Sequence, residues 1–285
     1  MTPQELVSGV VRLVSLPEVC IRVNEMMDDP VVNATDIGKV ISQDTSLTAR
    51  LLKIVNSAFY GFQARIETVS RAVTVIGLRE LRGLVLAASA VESFSKLPND
   101  VLNLVNFWRH SVYCGVIAQL LAQKCNVLHS ERLFIAGLLH DIGKLVITNK
   151  MVKESREVIQ RVDKKKIFDF DAEQAILGFD HAEVGGELLK EWNMPESLYS
   201  SVMYHHRPSA SMEPTIEICI IHIANIMTIM AEHGVNENDK VPPIDELAFK
   251  MTGLSEADFD PIFARAGTVF SEALDAILPR AYKPN

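Results

Sequence analysis

Apolar residues recur along this chain at spacings of three and four, which place them on one face of a helix. One such face is formed by Ile37, Val40 and Ile41, and a second face includes Leu51 and Val55. The strict alternation of apolar and polar residues that marks a half-buried strand is nearly absent. Glycine and proline residues lie between the periodic stretches, where they end helices. The pattern therefore predicts an all-α protein.

The periodic stretches can be assigned to individual helices with approximate ends. The predicted helices cover residues 17–28, 69–76, 81–94, 101–124, 131–148, 153–162, 171–177, 182–191, 196–205, 216–232 and 256–277. The segment Leu97–Asp100 is the best candidate for an internal boundary. We accordingly predict an N-terminal helical part at 1–97, a helical bundle at 98–240 and a helical extension at 241–285.

The composition is that of a globular protein that does not bind duplex DNA. Of the 285 residues, 48% are apolar and 22% are charged, so the chain can bury a sizeable core. The formal net charge is −8, whereas neutralising DNA phosphates requires a clustered cationic surface. The one dense basic run, Lys164–Lys166, lies between helical patterns, where a solvated connector is expected.

Neither a membrane segment nor a disulfide framework is expected. The most apolar long stretch, Ile216–Met230, contains Glu217 and His222 and is shorter than the roughly 20 residues that span a bilayer. The four cysteines are scattered without a CxxC pair, which indicates free thiols in a reducing compartment. Since no secretory leader opens the sequence, we expect a cytoplasmic protein.

Side chains able to bind a metal are concentrated in the second half of the chain. They are His110, the pair His140–Asp141, His181, and the pair His205–His206. Histidine and aspartate are common ligands of transition metals, and hydrolytic sites use them with positions left open for water. Six such residues predict one shared cluster that holds one or two divalent ions of iron, manganese, zinc or nickel.

The adjacent pairs require an irregular backbone, because neighbouring residues on a helix point roughly 100° apart. Gly143 and Pro208, which follow the two pairs, are the expected irregular points. Lys144 lies four residues after His140 and shares its face if the helix continues, where an ammonium group can hold a phosphate oxygen. Three further histidines stand alone and are expected to be ordinary core or surface residues: His129, His222 and His233.

The segment Ala136–Lys144, which contains the His140–Asp141 pair, resembles the signature of the HD superfamily of metal-dependent phosphohydrolases. In the HD-GYP phosphodiesterases, which cleave cyclic dinucleotides, further ligands come from an earlier histidine, an HxxxG motif, a His-His pair and a late aspartate. The resemblance carries the first three of these roles to His110, to His181 and to His205–His206.

Two features depart from that pattern. Asn225 stands where the late aspartate is expected, and its neutral oxygen is a weaker ligand for a divalent ion than a carboxylate. The GYP tripeptide is missing after His206, where Arg207 and Pro208 follow. Both departures disfavour the cleavage of cyclic dinucleotides.

The first half of the chain resembles a narrower group, the HDOD (HD-related output domain) family. The matching segments are Leu16–Val19, Asp28–Pro30, Ile41–Asp44, Leu51–Ala58 and Arg71–Leu78. This resemblance implies a single multi-helix domain, with an N-terminal helical subdomain packed on an HD-superfamily helical bundle. HDOD proteins generally act in bacterial signalling as regulatory or scaffolding modules, and many have lost the HD metal ligands.

The resemblance implies two alternative functions. The first is a signal-transduction output module with a relict or altered HD-type metal site, whose partners are other signalling proteins and a nucleotide or cyclic dinucleotide. The alternative is a metal-dependent phosphohydrolase acting on a nucleotide or cyclic phosphodiester, with Asp141 holding the metal and Lys144 steadying the phosphoryl oxygens. A plain helical scaffold with buried structural histidines is a third interpretation. The extension after residue 240 is expected to pack as a core helix.

Overall fold

The structure is a computed structural model that describes residues 1–11, 17–27, 29, 31–57, 60–233 and 241–278. These residues form helices joined by turns and contain no strand, so the all-α prediction is confirmed. Within the same ranges, no helix combines the length and the apolarity needed to cross a bilayer. Some residues used above lie outside the described ranges, namely Leu16, Asp28, Pro30, Ala58 and 279–285.

The helices follow one another with short connections. In chain order they are α1 (Pro3–Val11), α2 (Glu18–Met27), α3 (Ala34–Ile41), α4 (Thr45–Val55), α5 (Val69–Ile76), α6 (Leu78–Ser95), α7 (Leu104–Lys124), α8 (Glu131–Leu139), α9 (Ile142–Lys150), α10 (Val152–Lys165), α11 (Asp169–Leu177), α12 (His181–Glu191), α13 (Glu196–Met203), α14 (Ile216–His233), α15 (Glu246–Thr252) and α16 (Phe259–Ile277).

The chain divides into two compact units. The larger unit comprises Met1–Leu13 and Pro98–Gly267, and the smaller unit comprises Val14–Leu97 and Thr268–Asn285. The three-part division that the sequence suggested, with boundaries after residues 97 and 240, stays a prediction.

Side-chain caps and a glycine set the helix ends of the smaller unit. Asn33 accepts hydrogen bonds from the first backbone N–H groups of α3, and Asp44 does the same for α4. Gly77, with φ +87°, occupies the left-handed region between α5 and α6, where glycine carries no Cβ penalty. These helices pack through buried aliphatic side chains that include Ile37 and Leu81.

The larger unit is built around α7, which packs against α8 and α14. Trp108 and Ile117 of α7 are fully buried, as are Phe134 of α8 and Ile221 of α14. The helix α12 packs against α9 and α13, and α1 packs against α9 and α12. The metal-capable side chains predicted from the sequence lie on this scaffold.

Candidate metal centre

His140 and Asp141 form the junction between α8 and α9. The backbone leaves the helical conformation at Asp141, with φ −96° and ψ 6°, so the pair lies at a helix break. The sequence prediction of one helix over residues 131–148 was therefore wrong. The condition for Lys144 to share the face of His140, a continuous helix, is therefore not met.

Gly143 is not the irregular point, as it lies inside α9 and allows close packing. A Cβ atom at Gly143 would overlap the backbone carbonyl oxygen of His181, the first residue of α12. Only a residue without a side chain permits α9 to approach α12 so closely at this position. This contact brings Asp141 and His181 together.

The second pair, His205–His206, follows the end of α13. After Arg207, Pro208 begins a short 3₁₀ turn, so the pair lies at an irregular point as predicted. The two ring centroids are 3.9 Å apart and the ring planes are inclined by 47°. Both rings can therefore be directed toward the same region of space.

The carboxylate of Asp141 lies at the centre of the cluster. Its Oδ1 atom is 3.0 Å from Nε2 of His181 and 3.7 Å from Nε2 of His205. The same oxygen is 3.4 Å from Nε2 of His140, and the Oδ2 atom is 3.8 Å from Nε2 of His110. Segments far apart in the sequence thus place their imidazoles around one carboxylate.

Two groups of potential ligands share Asp141. The three-histidine group consists of Asp141, His181, His205 and His206, and the two-histidine group consists of Asp141, His110 and His140. Within each group, one ligand atom from every member lies within 4.8 Å of the others. All six residues predicted as ligands are therefore brought together, in two overlapping sets.

Asn225, on α14, lies beside the two-histidine group. Its Oδ1 atom is 3.2 Å from Nε2 of His110, which is in turn 3.3 Å from Nε2 of His140. The amide oxygen thus faces the same region as the ring nitrogens. Asp141 remains the one carboxylate in the two ligand groups, and its oxygens lie within 3.8 Å of the Nε2 atoms of four of the rings.

Two rings are held from behind by backbone carbonyls. Nδ1 of His140 donates to the carbonyl oxygen of Gly137 at 2.7 Å, and Nδ1 of His205 donates to that of Val202 at 2.7 Å. Since a carbonyl oxygen only accepts, each Nδ1 carries the proton and each Nε2 keeps its lone pair when the ring is neutral. This is the tautomer that binds a metal through Nε2.

Two other rings are held by carboxylates. Nδ1 of His181 lies 2.6 Å from Oε2 of Glu173, and Nδ1 of His110 lies 2.9 Å from Oε2 of Glu232. Hydrogen bonds of this kind fix the orientation of metal-binding histidines in known metal sites. Neither glutamate was predicted from the sequence.

Two buried polar atoms at the centre have no hydrogen-bond partner: Oδ1 of Asp141 and Nε2 of His205. Leaving such an atom unsatisfied costs about 1–3 kcal/mol. A cation between them would satisfy both atoms. Because the donors are imidazole nitrogens and a carboxylate oxygen, the residues present fit a divalent transition metal.

The electrostatics of the cluster favour an ionised Asp141 and neutral rings at His140 and His205. Burial lowers the pKa of His140 to about 4, and burial with the neighbouring rings brings the pKa of His205 well below its usual range. Burial alone would raise the pKa of Asp141, but His140, Lys144 and His181 bring it well below its usual range. Deprotonated ligands are those that metals require.

His181 departs from this trend. Burial opposes its charged form, but the Glu173 and Asp141 carboxylates raise its pKa to about 10. His206 lies next to it, with the two Nε2 atoms 2.7 Å apart, and burial with the charge of its neighbours brings its pKa well below the usual range. Of these two adjacent rings, His181 is therefore the one whose pKa favours the protonated form.

Lys144 is held by two carboxylates. Its Nζ atom is 2.9 Å from Oδ2 of Asp141 and 2.7 Å from Oδ2 of Asp169. Burial opposes its charge, but these carboxylates raise the pKa of Lys144 above its usual value. The ammonium group thus remains charged. It holds Asp141 through Oδ2, whereas His140, His181 and His205 lie around Oδ1.

A pocket of about 740 Å³ opens in front of the cluster. Asp141, His110, His206 and Asn225 contribute to its lining, so both ligand groups reach it. The remaining wall comes mainly from the start of α7 and from the end of α10 with the loop into α11, including Arg109, Lys166, Phe168 and Phe170. A small molecule in this pocket would therefore meet the cluster directly.

An aromatic stack forms part of this wall. The rings of Phe168 and Phe170 are stacked with centroids 5.5 Å apart, and Phe170 stacks on His206 with centroids 4.2 Å apart. The guanidinium carbon of Arg207 lies 5.4 Å from the centre of the Phe170 ring. The stack therefore links the pocket to one ring of the three-histidine group.

Two of the three histidines that the sequence left out of the cluster, His129 and His222, lie outside it. His222 is buried, accepts a hydrogen bond from the backbone N–H of Asp245, and donates through Nδ1 to the carbonyl oxygen of His205. It therefore supports the backbone of a predicted ligand. His129 is exposed. The side chain of His233 lies outside the described part of the structure.

Comparison with known proteins identifies relatives at both the sequence and the structure level. A sequence profile for the HDOD domain matches residues 13–208. An uncharacterized protein of Treponema pallidum (strain Nichols) is 29% identical over 230 residues, which are 80% of this chain and 44% of that protein. The chain thus spans less than half the length of this curated relative.

Solved structures share the fold. An HDOD domain protein of unknown function from Geobacter sulfurreducens is 25% identical, with a TM-score of 0.74 and coverage of 97% of this chain and 98% of that one. A protein from Shewanella amazonensis, provisionally named a phosphohydrolase, is 21% identical with a TM-score of 0.73, and the coverage is 95% and 96%. A protein from Marinobacter aquaeolei, provisionally named a signal transduction protein, is 20% identical with a TM-score of 0.66, and the coverage is 94% and 60%.

Proposed function

This chain belongs to the HDOD family, and from that premise we propose that it is a bacterial signal-transduction module whose divalent-metal centre binds a phosphate-bearing small molecule. The observation that carries the proposal is the position of Asp141, whose carboxylate lies among imidazoles that turn their Nε2 atoms toward it. In the same proposal the module acts in the cytoplasm on other signalling proteins.

The pocket in front of the cluster supports an anionic ligand. Arg109 and Lys166 contribute to its lining, but so do four carboxylates, those of Asp141, Asp163, Asp169 and Glu232. A metal ion at the cluster would therefore supply most of the positive charge that an anionic ligand meets. Phosphate oxygens are suitable partners both for such an ion and for the cationic side chains. Phe170 already stacks on His206, so Phe168 is the ring of this wall on which a base can stack, and a nucleotide is the class of ligand that fits best.

Two features favour binding over hydrolysis. Lys144 is engaged by Asp141 and Asp169, so it is not available to take up charge that develops on a phosphoryl group. The amide of Asn225 supplies no negative charge where the resemblance places a carboxylate. When bound, a divalent ion supplies Lewis acidity and lowers the pKa of a coordinated water. The residues around it hold and orient a ligand.

The experiment that tests this proposal compares binding with turnover in one preparation. Protein loaded with Mn²⁺ is titrated with a nucleoside monophosphate, and hydrolysis of bis(p-nitrophenyl) phosphate is followed in parallel. We expect saturable binding of the nucleotide that disappears when a chelator removes the metal, and no turnover above that of the free ion. Binding that is unchanged by the chelator would contradict the role of the metal.

Hydrolysis is the second candidate, and one observation favours it. All six residues predicted as ligands are present in two groups that share Asp141 and reach the pocket, an arrangement that can hold one or two ions beside a substrate. If this candidate is correct, the loaded protein cleaves a phosphodiester at a rate that falls to background in Asp141→Asn. Turnover that Asp141→Asn retains would arise from a contaminant.

A further inference from the structure

The imidazoles of the cluster differ in what holds them from behind. His140 and His205 donate to neutral backbone carbonyls, whereas His181 and His110 face the carboxylates of Glu173 and Glu232. A carboxylate partner does more than orient a ring, because it also increases the basicity of the ring and adds negative charge near the metal. The two carboxylate partners therefore distinguish two of the rings.

Glu173 has the more restrictive geometry of the two. Its Oε2 atom accepts from Nδ1 of His181 at 2.6 Å and from the backbone N–H of the same residue at 2.8 Å. One oxygen thus fixes the ring of His181 relative to its own backbone. The side chain of Glu173 is 7% exposed, whereas that of Glu232 is 41% exposed.

The capping box of helix α12 does not involve the His181 ring, although Glu173 also accepts from the backbone N–H of His181 at the helix start. Asp180 already caps α12 by accepting from the N–H groups of Ala182 and Glu183, and the side chain of Glu183 accepts from the N–H of Asp180. This reciprocal capping box satisfies the helix start in the usual way. The interaction of Glu173 with the ring of His181 therefore calls for a separate explanation.

The charge of the ligand set provides that explanation. Asp141 is the one carboxylate in the two ligand groups, and Asn225 is neutral, so one divalent ion with neutral imidazoles would leave a net positive charge in a buried site. A buried carboxylate hydrogen-bonded to a ligand offsets part of that charge, since the effective dielectric constant is low there. The exposed carboxylate of Glu232 is screened by solvent and offsets less.

We infer that Glu173 is a positioning residue of the metal centre, which orients His181 and supplies buried negative charge that the ligand set lacks. The inference rests on the proposed function, because it requires that a metal ion binds. In this inference, the buried carboxylate of Glu173 offsets more of the positive charge of the metal than the exposed carboxylate of Glu232 does. The two glutamates therefore form a matched pair for experiment.

The test measures Co²⁺ affinity by competition with a chelator, together with the visible absorption of bound Co²⁺. Glu173→Gln keeps the shape of the side chain and removes its charge. We expect it to weaken Co²⁺ binding by about 10–100-fold, which is the usual cost of changing a residue that hydrogen-bonds to a metal ligand. Glu232→Gln is the matched control, with an expected loss of about threefold or less. The Co²⁺ absorption should change in Glu173→Gln because a neutral amide behind Nδ1 makes the ring of His181 a less basic ligand.

Glu173→Asp provides a second variant that retains the charge but has a shorter reach. We expect its Co²⁺ affinity to lie between those of the wild type and Glu173→Gln, and wild-type affinity in a folded Glu173→Asp would overturn the inference. So would a Glu173→Gln protein whose thermal stability falls while its Co²⁺ affinity and spectrum stay at wild-type values, since that result indicates a structural role alone. A wild type that binds no Co²⁺ would overturn the proposed function, and the assignment of Glu173 with it.

Discussion

The two ligand groups that share Asp141 are unequal. The three-histidine group offers three rings and a carboxylate, which is a full set for a four-coordinate ion. The two-histidine group offers two rings, the same carboxylate and the neutral oxygen of Asn225. One carboxylate can thus serve a complete binding site and a weaker one in which a ligand completes the coordination. We expect the three-histidine group to bind the first ion.

The largest effect should come from the residue that both groups share. Asp141→Asn removes the carboxylate that both groups share. Losing a residue that only hydrogen-bonds to a metal ligand usually weakens metal binding by about 10–100-fold, so we expect the loss of this ligand to weaken it by more than about 100-fold in both groups. A ligand at 100 times its Kd stabilises a folded protein by about 2.7 kcal/mol, and this stabilisation should disappear. Thermal unfolding with and without Mn²⁺ measures it. The control is His129→Gln, at an exposed histidine outside the cluster.

Removing one ring from each group should separate the two sites. His205→Ala is expected to eliminate the first, tight equivalent of Co²⁺, whereas His110→Ala should leave that equivalent and eliminate only the weaker one. The physical reason is that each of these two rings belongs to one group only. A Co²⁺ titration followed by visible absorption counts the equivalents. Identical titration curves for the two variants would show that the groups do not act as separate sites.

Restoring a carboxylate at position 225 should make the two groups more alike. Asn225→Asp places a negative charge 3.2 Å from Nε2 of His110, and we expect the weaker equivalent to bind about tenfold more tightly, equivalent to about 1.4 kcal/mol. The tight equivalent should change much less. Competition titration with a chelator resolves the two affinities. A decrease in affinity for the weaker equivalent would contradict the role given to Asn225.

The smallest effect concerns the stacking partner of His206. Phe170→Leu keeps an apolar side chain but removes the ring that stacks on His206 at 4.2 Å, an interaction worth about 0.5–1.5 kcal/mol. We expect affinity for the tight equivalent to fall by about threefold to tenfold, because His206 is less constrained. Phe168→Leu, whose ring stacks on Phe170 and not on a ligand, is the matched control. Equal losses in both variants would indicate a general change in the loop.

The sequence was sufficient to predict that these side chains converge, because they carry a distinctive chemistry, whereas their role as metal ligands stays a prediction. Histidine pairs and a His-Asp pair are recognisable wherever they occur, and the fold brought all six predicted residues together. The partners behind the rings were not predicted, because Glu173 and Glu232 occupy ordinary helical positions where a carboxylate is normally solvated. The available signal for Glu173 was its place three residues after the buried Phe170, on the same face of a short helix.

The break at His140–Asp141 was also beyond the hydrophobic pattern. Apolar residues continue on both sides of it, with Leu138 and Leu139 before and Ile142 and Leu145 after, and all four are buried. Periodicity reports which positions are buried and does not report where the backbone changes direction. The tight contact of Gly143 with α12 likewise depends on a distant segment, so no local rule reveals it.

The central claim is that the histidine cluster around Asp141 binds a transition metal. The most direct measurement is the metal content of wild-type protein purified without oxygen, determined by mass spectrometry beside Asp141→Asn prepared in the same way. The proposed centre predicts about one or two transition-metal ions per wild-type chain and a loss of these ions in the variant. A wild type that holds no more metal than Asp141→Asn would contradict it.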